Sequence, residues 1–167
     1  MARCLRRSLS TVVLALSGAL GCSAAPNPDN WTVHEFKSFS LRAPAEWLLV
    51  AGGADSQAGR LQGPSGVAIS YDFGLYSDPL TAPHGAVDMQ TQSATVGGLP
   101  ARWVRYVLPG GAGSTPRSCV GLHVPQVRKT SMGPIRFTAQ TCVQDPASLA
   151  LARSVMATVR FEGHPVP

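Results

Sequence analysis

Two segments constrain this chain more than any other feature: SCVGLHVP (118–125) and PIRFTAQTC (134–142). They can be zipped together antiparallel in a register where opposed residue numbers sum to 261. Val120 then faces Thr141, Leu122 faces Ala139 and Val124 faces Phe137 on one side of the ribbon. Cys119 meets Cys142 on the other side, beside Gly121 and Gln140. Because strand side chains alternate between faces, a slip of one residue would send the apolar set to the wrong side and part the cysteines. An antiparallel non-hydrogen-bonded pair brings Cα atoms to roughly 4.5 Å, near the short end of disulfide geometry. The register therefore predicts a hairpin stapled by Cys119 and Cys142, with the polar segment QVRKTSMG as its turn and Arg128-Lys129 at a solvated tip.

The same period of two recurs along the chain. Phe39, Leu41 and Ala43 alternate with small or polar residues until Pro44 stops the run, and Val67, Ile69, Tyr71 and Phe73 form a second bulky face. Residues 52–66 are rich in glycine and are expected to hold a long turn. Residues 86–95 and 101–108 flank a reversal at Gly97-Gly98. ARWVRYVL is apolar on both parities, which marks a central strand covered on both sides. Near the end the pattern changes: Asp145-Pro146 supplies an N-cap and a first-turn proline, and Leu149, Ala152, Val155, Met156 and Val159 lie along one side of a helix over Ala147 to Thr158. That helix should cross the sheet and feed a short strand at Val159 to Phe161. The predicted class is α+β, a mainly antiparallel sheet packed by helices.

The amino terminus reads differently. Arg3, Arg6 and Arg7 precede a ten-residue apolar run, Thr11 to Leu20, the order of a secretory signal and too short to span a bilayer. The run ends in Ala19-Leu20-Gly21-Cys22, which resembles the lipobox of bacterial lipoproteins. Gly21 and Cys22 fit that pattern, while Ala19 and Leu20 depart from its preference for leucine three residues before the cysteine and a small residue two before it. The resemblance implies cleavage after residue 21, acylation of Cys22 and a membrane anchor without a transmembrane helix. Ser23 implies sorting to the outer membrane, facing the periplasm, if the cell is Gram-negative. Ordinary signal cleavage near Ser23-Ala24-Ala25 is the alternative, and Arg6-Arg7-Ser8-Leu9 leaves twin-arginine export open beside the general route.

The organisation that follows is a signal peptide over 1–21, a lipidated cysteine and proline-containing linker over 22–30, one α+β domain over 31–163 and a free tail over 164–167. Past residue 21 the chain keeps eleven of its fourteen Lys and Arg against all nine Asp and Glu, a formal charge of +2. Thinly spread, that charge offers no basic patch and argues against a nucleic-acid partner.

Phe36-Lys37-Ser38-Phe39-Ser40-Leu41-Arg42-Ala43-Pro44 with Trp47 resembles the opening of PsbP-like domains, and the helix and short strand over Ser148 to Phe161 resemble their close. The resemblance covers residues 34–161. It implies an α/β/α sandwich and an accessory or binding role without chemistry of its own, and it transfers no ligand residues.

Three constellations bear on function. Cys119 and His123 share a strand face four residues apart, so with Cys142 they could hold zinc or activate a thiolate. Export favours the disulfide instead, leaving His123 to hydrogen-bond Thr138 or face solvent. Asp55, Asp72, Asp78 and Asp88 lack calcium-loop spacing, and local Asx turns account for Asp55 and Asp72. Tyr71, Phe73 and Tyr76 in YDFGLY concentrate aromatic area where a strand becomes a loop, either as core or as a recognition edge. The sequence has no Gly-x-Ser-x-Gly elbow, nucleotide loop or His-Glu-x-x-His site. These readings point to a lipid-anchored envelope protein without a cofactor, a binding or assembly accessory for an envelope protein or small ligand. An extracytoplasmic hydrolase-like enzyme and a purely structural envelope protein stand as alternatives.

Overall fold

The computed structural model describes residues 28–52, 57–81, 83–111 and 113–163. Residues 1–21, Cys22 and the tail 164–167 lie outside the described residues, as does Asp55. The end of the expected linker, Pro28–Asn30, winds into a 3-10 turn that leads into the first strand.

Two antiparallel sheets follow. β1 (Trp31–Glu35), β2 (Phe39–Pro44) and β10 (Arg160–Phe161) form a small sheet in the order β1-β2-β10. The large sheet runs β3-β4-β5-β9-β8-β7-β6, from β3 (Leu48–Gly52), β4 (Ala58–Gln62), β5 (Ala68–Gly74), β6 (Val87–Val96), β7 (Leu99–Leu108), β8 (Arg117–Thr130) and β9 (Gly133–Val143). α1 spans Pro146–Ala157, one residue from its expected bounds, and is the one α-helix among the described residues. Its cap is the expected one: Asp145 accepts from the Ser148 N–H at 2.7 Å, with proline in the first turn.

The main core lies between the large sheet and a cover made of α1 and β2. Leu149, Ala152, Val155 and Met156 of the helix and Phe39, Leu41 and Ala43 of β2 bury against Ile69, Phe137, Leu122 and Trp103. Phe39 sits amid the rings of Phe36, Tyr71, Phe73 and Phe137, with centroids 4.2–5.8 Å apart. Helices on both faces were expected; among the described residues the helical layer covers one face. The other receives the segment after β5, whose Leu80 is wholly buried with Val104, Tyr106 and Cys119.

The hairpin register is the expected one from Ser118↔Val143 to Val124↔Phe137, and Cys119 and Cys142 form a disulfide with Cα atoms 4.0 Å apart. The polar segment differs from expectation. After an irregularity between Val124 and Arg128 the ladder resumes, so Arg128 and Lys129 are paired strand residues and the turn is confined to Ser131 and Met132. The glycine-rich stretch 52–66 also holds β4, whose Leu61 is buried against Ile69. Gly97 and Gly98, at φ +59° and +79°, close a two-residue hairpin between β6 and β7. β7 is covered on both faces as its composition requires, but it lies next to the edge strand β6 and not at the sheet's centre.

Candidate functional site

The sheet face away from α1 is polar along two cross-strand rows. One runs Arg60, Ser70, Gln140, Gly121, Val104, Thr91, and the next runs Asp72, Thr138, His123, Arg102, Ser93. Period-two alternation produces both, since each of these residues is out of phase with the apolar residues that face the helix. Arg136 lies on this face too, two residues before Thr138 on β9.

A strap over residues 75–81 crosses the second row and is tied to the sheet at Leu75, Ser77, Asp78 and Pro79. The Arg136 guanidinium donates to the Leu75 carbonyl at 3.0 Å, and buried Ser77 donates to the Asp72 carbonyl at 3.0 Å. Thr138 Oγ1 donates to the Asp78 carbonyl at 2.6 Å, and Arg102 Nη2 donates to the Pro79 carbonyl. Asp78 Oδ1 accepts from the Leu80 N–H at 2.7 Å, which holds Leu80 at φ +52°, a left-handed conformation rare outside glycine. Leu80 in turn rests on Gly121, where any Cβ would collide with its Cδ1.

Beside the strap opens a cleft of about 420 Å³ lined by Pro79, Thr81, Pro100, Ala101, Arg102, His123, Pro125, Pro134 and Arg136. His123 is 4% exposed, and its Nδ1 lies 3.0 Å from Thr138 Oγ1. Thr138 spends its single hydroxyl proton on Asp78, so the shared hydrogen bond must come from the ring: Nδ1 carries the proton and Nε2 keeps its lone pair. Burial first, then the Arg102 and Arg136 charges, lower the His123 pKa to about 4 against a smaller opposing pull from Asp78. The ring is therefore neutral at pH 7. Arg102 Nε is buried with no acceptor among the described residues.

Among the described residues no side-chain hydroxyl or thiol at the cleft is hydrogen-bonded to a base that could activate it. The nearest hydroxyl to His123 belongs to Thr138, whose proton is committed elsewhere, and an imidazole titrating near pH 4 is a feeble base at neutral pH. Cys119 and Cys142 are oxidised, which removes both thiolates from the zinc and thiol readings. No group of three or more His, Cys, Asp or Glu among the described residues could hold a metal ion. Comparison with protein-family models and with curated proteins found no match.

The aromatic trio of YDFGLY separates. Tyr71 and Phe73 pack in the helix-side core at 7% and 5% exposure, and Tyr76, at 92%, is the one open to a partner. Asp72 is likewise no turn former: it sits in β5, with Oδ1 buried and unpartnered among the described residues and its pKa raised by desolvation against a hydrogen bond from the Phe73 N–H. Asp78 makes the Asx-type contact instead. Arg102 and Arg136 were missed as site residues. Their signal was present, because the hairpin register and strand parity put both on the His123 face, but neither belongs to a recognised motif.

Proposed function

We propose that the chain is a lipid-anchored protein of the bacterial cell envelope whose single domain, residues 31–163, works by noncovalent binding and not by catalysis. The observation that carries the binding half is the strapped cleft itself: two guanidiniums and a neutral imidazole converge on rigid proline walls with no activated nucleophile and no acid–base pair. Small-ligand sites combine such apolar walls with a few polar groups, in clefts of about 300–1,000 Å³. The anchoring half rests on the lipobox-like Ala19-Leu20-Gly21-Cys22 behind its basic and apolar signal. The Cys119–Cys142 disulfide supports it, since such bonds persist outside the cytoplasm. Kinship of fold with PsbP-like accessory domains belongs to the same proposal. It is supported by β2 ending at Pro44 shortly before buried Trp47, and by α1 feeding β10.

Expression of the full chain in a bacterial host tests both halves. The mature protein should begin at Cys22, carry the mass of its acyl chains and partition into detergent, and Cys22→Ser should abolish acylation and maturation. A mature mass without acyl chains refutes the anchor. Turnover of an envelope component that His123→Asn abolishes refutes binding without chemistry.

A further inference from the structure

The cleft beside the strap has a charge pattern that selects its occupant. Its lining carries the guanidiniums of Arg102 and Arg136 and no carboxylate. The two arginines flank His123 from opposite sides: Arg102 is its register partner on β7, and Arg136 lies diagonally, two residues from its partner Thr138 on β9. Each guanidinium has five N–H donors in a planar fork, and each spends one on a strap carbonyl. The buried Arg102 Nε–H has no acceptor among the described residues, an unmet demand that costs free energy until an acceptor arrives. His123 adds no charge of its own, because Thr138 fixes the ring with its unprotonated Nε2, an acceptor, as the nitrogen left for the cleft, so the two guanidiniums alone select the anion. Asp78, the acid whose charge reaches His123, has an oxygen engaged by the Leu80 N–H. Apart from Thr81 at the exposed rim, the remaining walls are prolines and Ala101, apolar and conformationally fixed, so the cleft is shaped before any ligand enters.

We propose that this cleft binds a small organic carboxylate with an apolar body, its carboxylate taken by Arg102 and Arg136 and its body lying along the proline walls. Planar guanidinium forks match a carboxylate better than a compact ammonium would. The inference rests on the binding reading above and narrows it to a ligand class.

Phenylacetate is a suitable probe, phenylacetamide its neutral isostere and inorganic phosphate an anion without an apolar body. Each is titrated into the full chain in detergent, with NMR signals of the His123 ring and the Arg102 Nε–H as reporters. The expected result is saturable shifts at both reporters with phenylacetate, and affinity about tenfold weaker or worse for the amide and for phosphate. Arg136→Gln should weaken phenylacetate binding by a similar factor. Because Arg136 also tethers the strap, Thr81→Trp serves as the second variant: Thr81 is an exposed lining residue with no tether to lose, and an indole there should block the cleft while the His123 signal stays at its folded position. If the amide binds at the reporters as tightly as the carboxylate, the carboxylate inference falls and the binding reading stands. Phosphate binding as tightly as phenylacetate overturns the apolar body, and no saturable shift with any probe overturns inference and cleft together.

Discussion

At the scale of single residues, the second face depends on His123 and Gly121. A neutral buried imidazole whose pKa falls to about 4 in the native state binds fewer protons than its unfolded counterpart near 6.5. Its contribution to stability is therefore complete above pH 6.5, declines as the pH falls from 6.5 toward 4, and changes no further below that. The span amounts to at most about 3 kcal/mol. NMR titration of His123 should give a midpoint near 4, and His123→Asn should remove this part of the pH dependence of unfolding; a midpoint near 6.5 would contradict burial of the ring. Asp72 works the other way, since its raised pKa favours the native state as the pH falls through that raised value, so the comparison with His123→Asn is needed to separate them. Gly121 was visible in sequence only as the neighbour of Cys119 in the hairpin register. Its reason is Leu80, from a segment 41 positions earlier in the chain, and no local pattern announces that meeting. Gly121→Ala should cost about 1–3 kcal/mol by forcing Leu80 aside, measured by chemical denaturation, and it should speed amide exchange in residues 75–81 ahead of the rest of the domain.

At the scale of elements, what the sequence revealed was what period and pairing control. The β8–β9 register followed from two constraints, apolar parity and cysteine opposition, that agreed without adjustment. α1 followed from Asp145-Pro146 and its apolar side, and the β6–β7 turn from paired glycines. What escaped was set by distant contacts. β4 hides in a glycine-rich stretch because its strand character comes from pairing with β3 and β5, and the strap has no regular structure to read. Arg128 and Lys129 looked like a turn because an irregularity lets a polar ladder continue past Val124. The disulfide is the element whose value can be measured separately. Closing the loop between Cys119 and Cys142 is worth about 3 kcal/mol in the chain-entropy picture. Reduction, or the Cys119→Ser, Cys142→Ser double variant, should lower unfolding free energy by that order. It should leave the helix signal in far-UV circular dichroism intact, because α1 packs on the opposite face. Loss of the whole fold on reduction would mean that the staple, and not the apolar register, specifies the sheet.

At the scale of the whole molecule, the large sheet has two faces with separate tasks. One is closed by α1 and β2 around an apolar core, and it accounts for why the domain folds. The other carries a small apolar cluster around Leu80 beside a polar row, lies under a strap and is opened by a cleft, where the proposed binding would occur. The claim that binding occurs on the strapped face is tested most directly by hydrogen exchange. The full chain in detergent is compared with and without the small-molecule fraction of a bacterial envelope extract, and read peptide by peptide. The account expects slower exchange in residues 75–81 and in the β8–β9 peptides around His123 and Arg136, with α1 and β2 unchanged. Protection confined to α1, β2 or β10, with the strap unchanged, would contradict it.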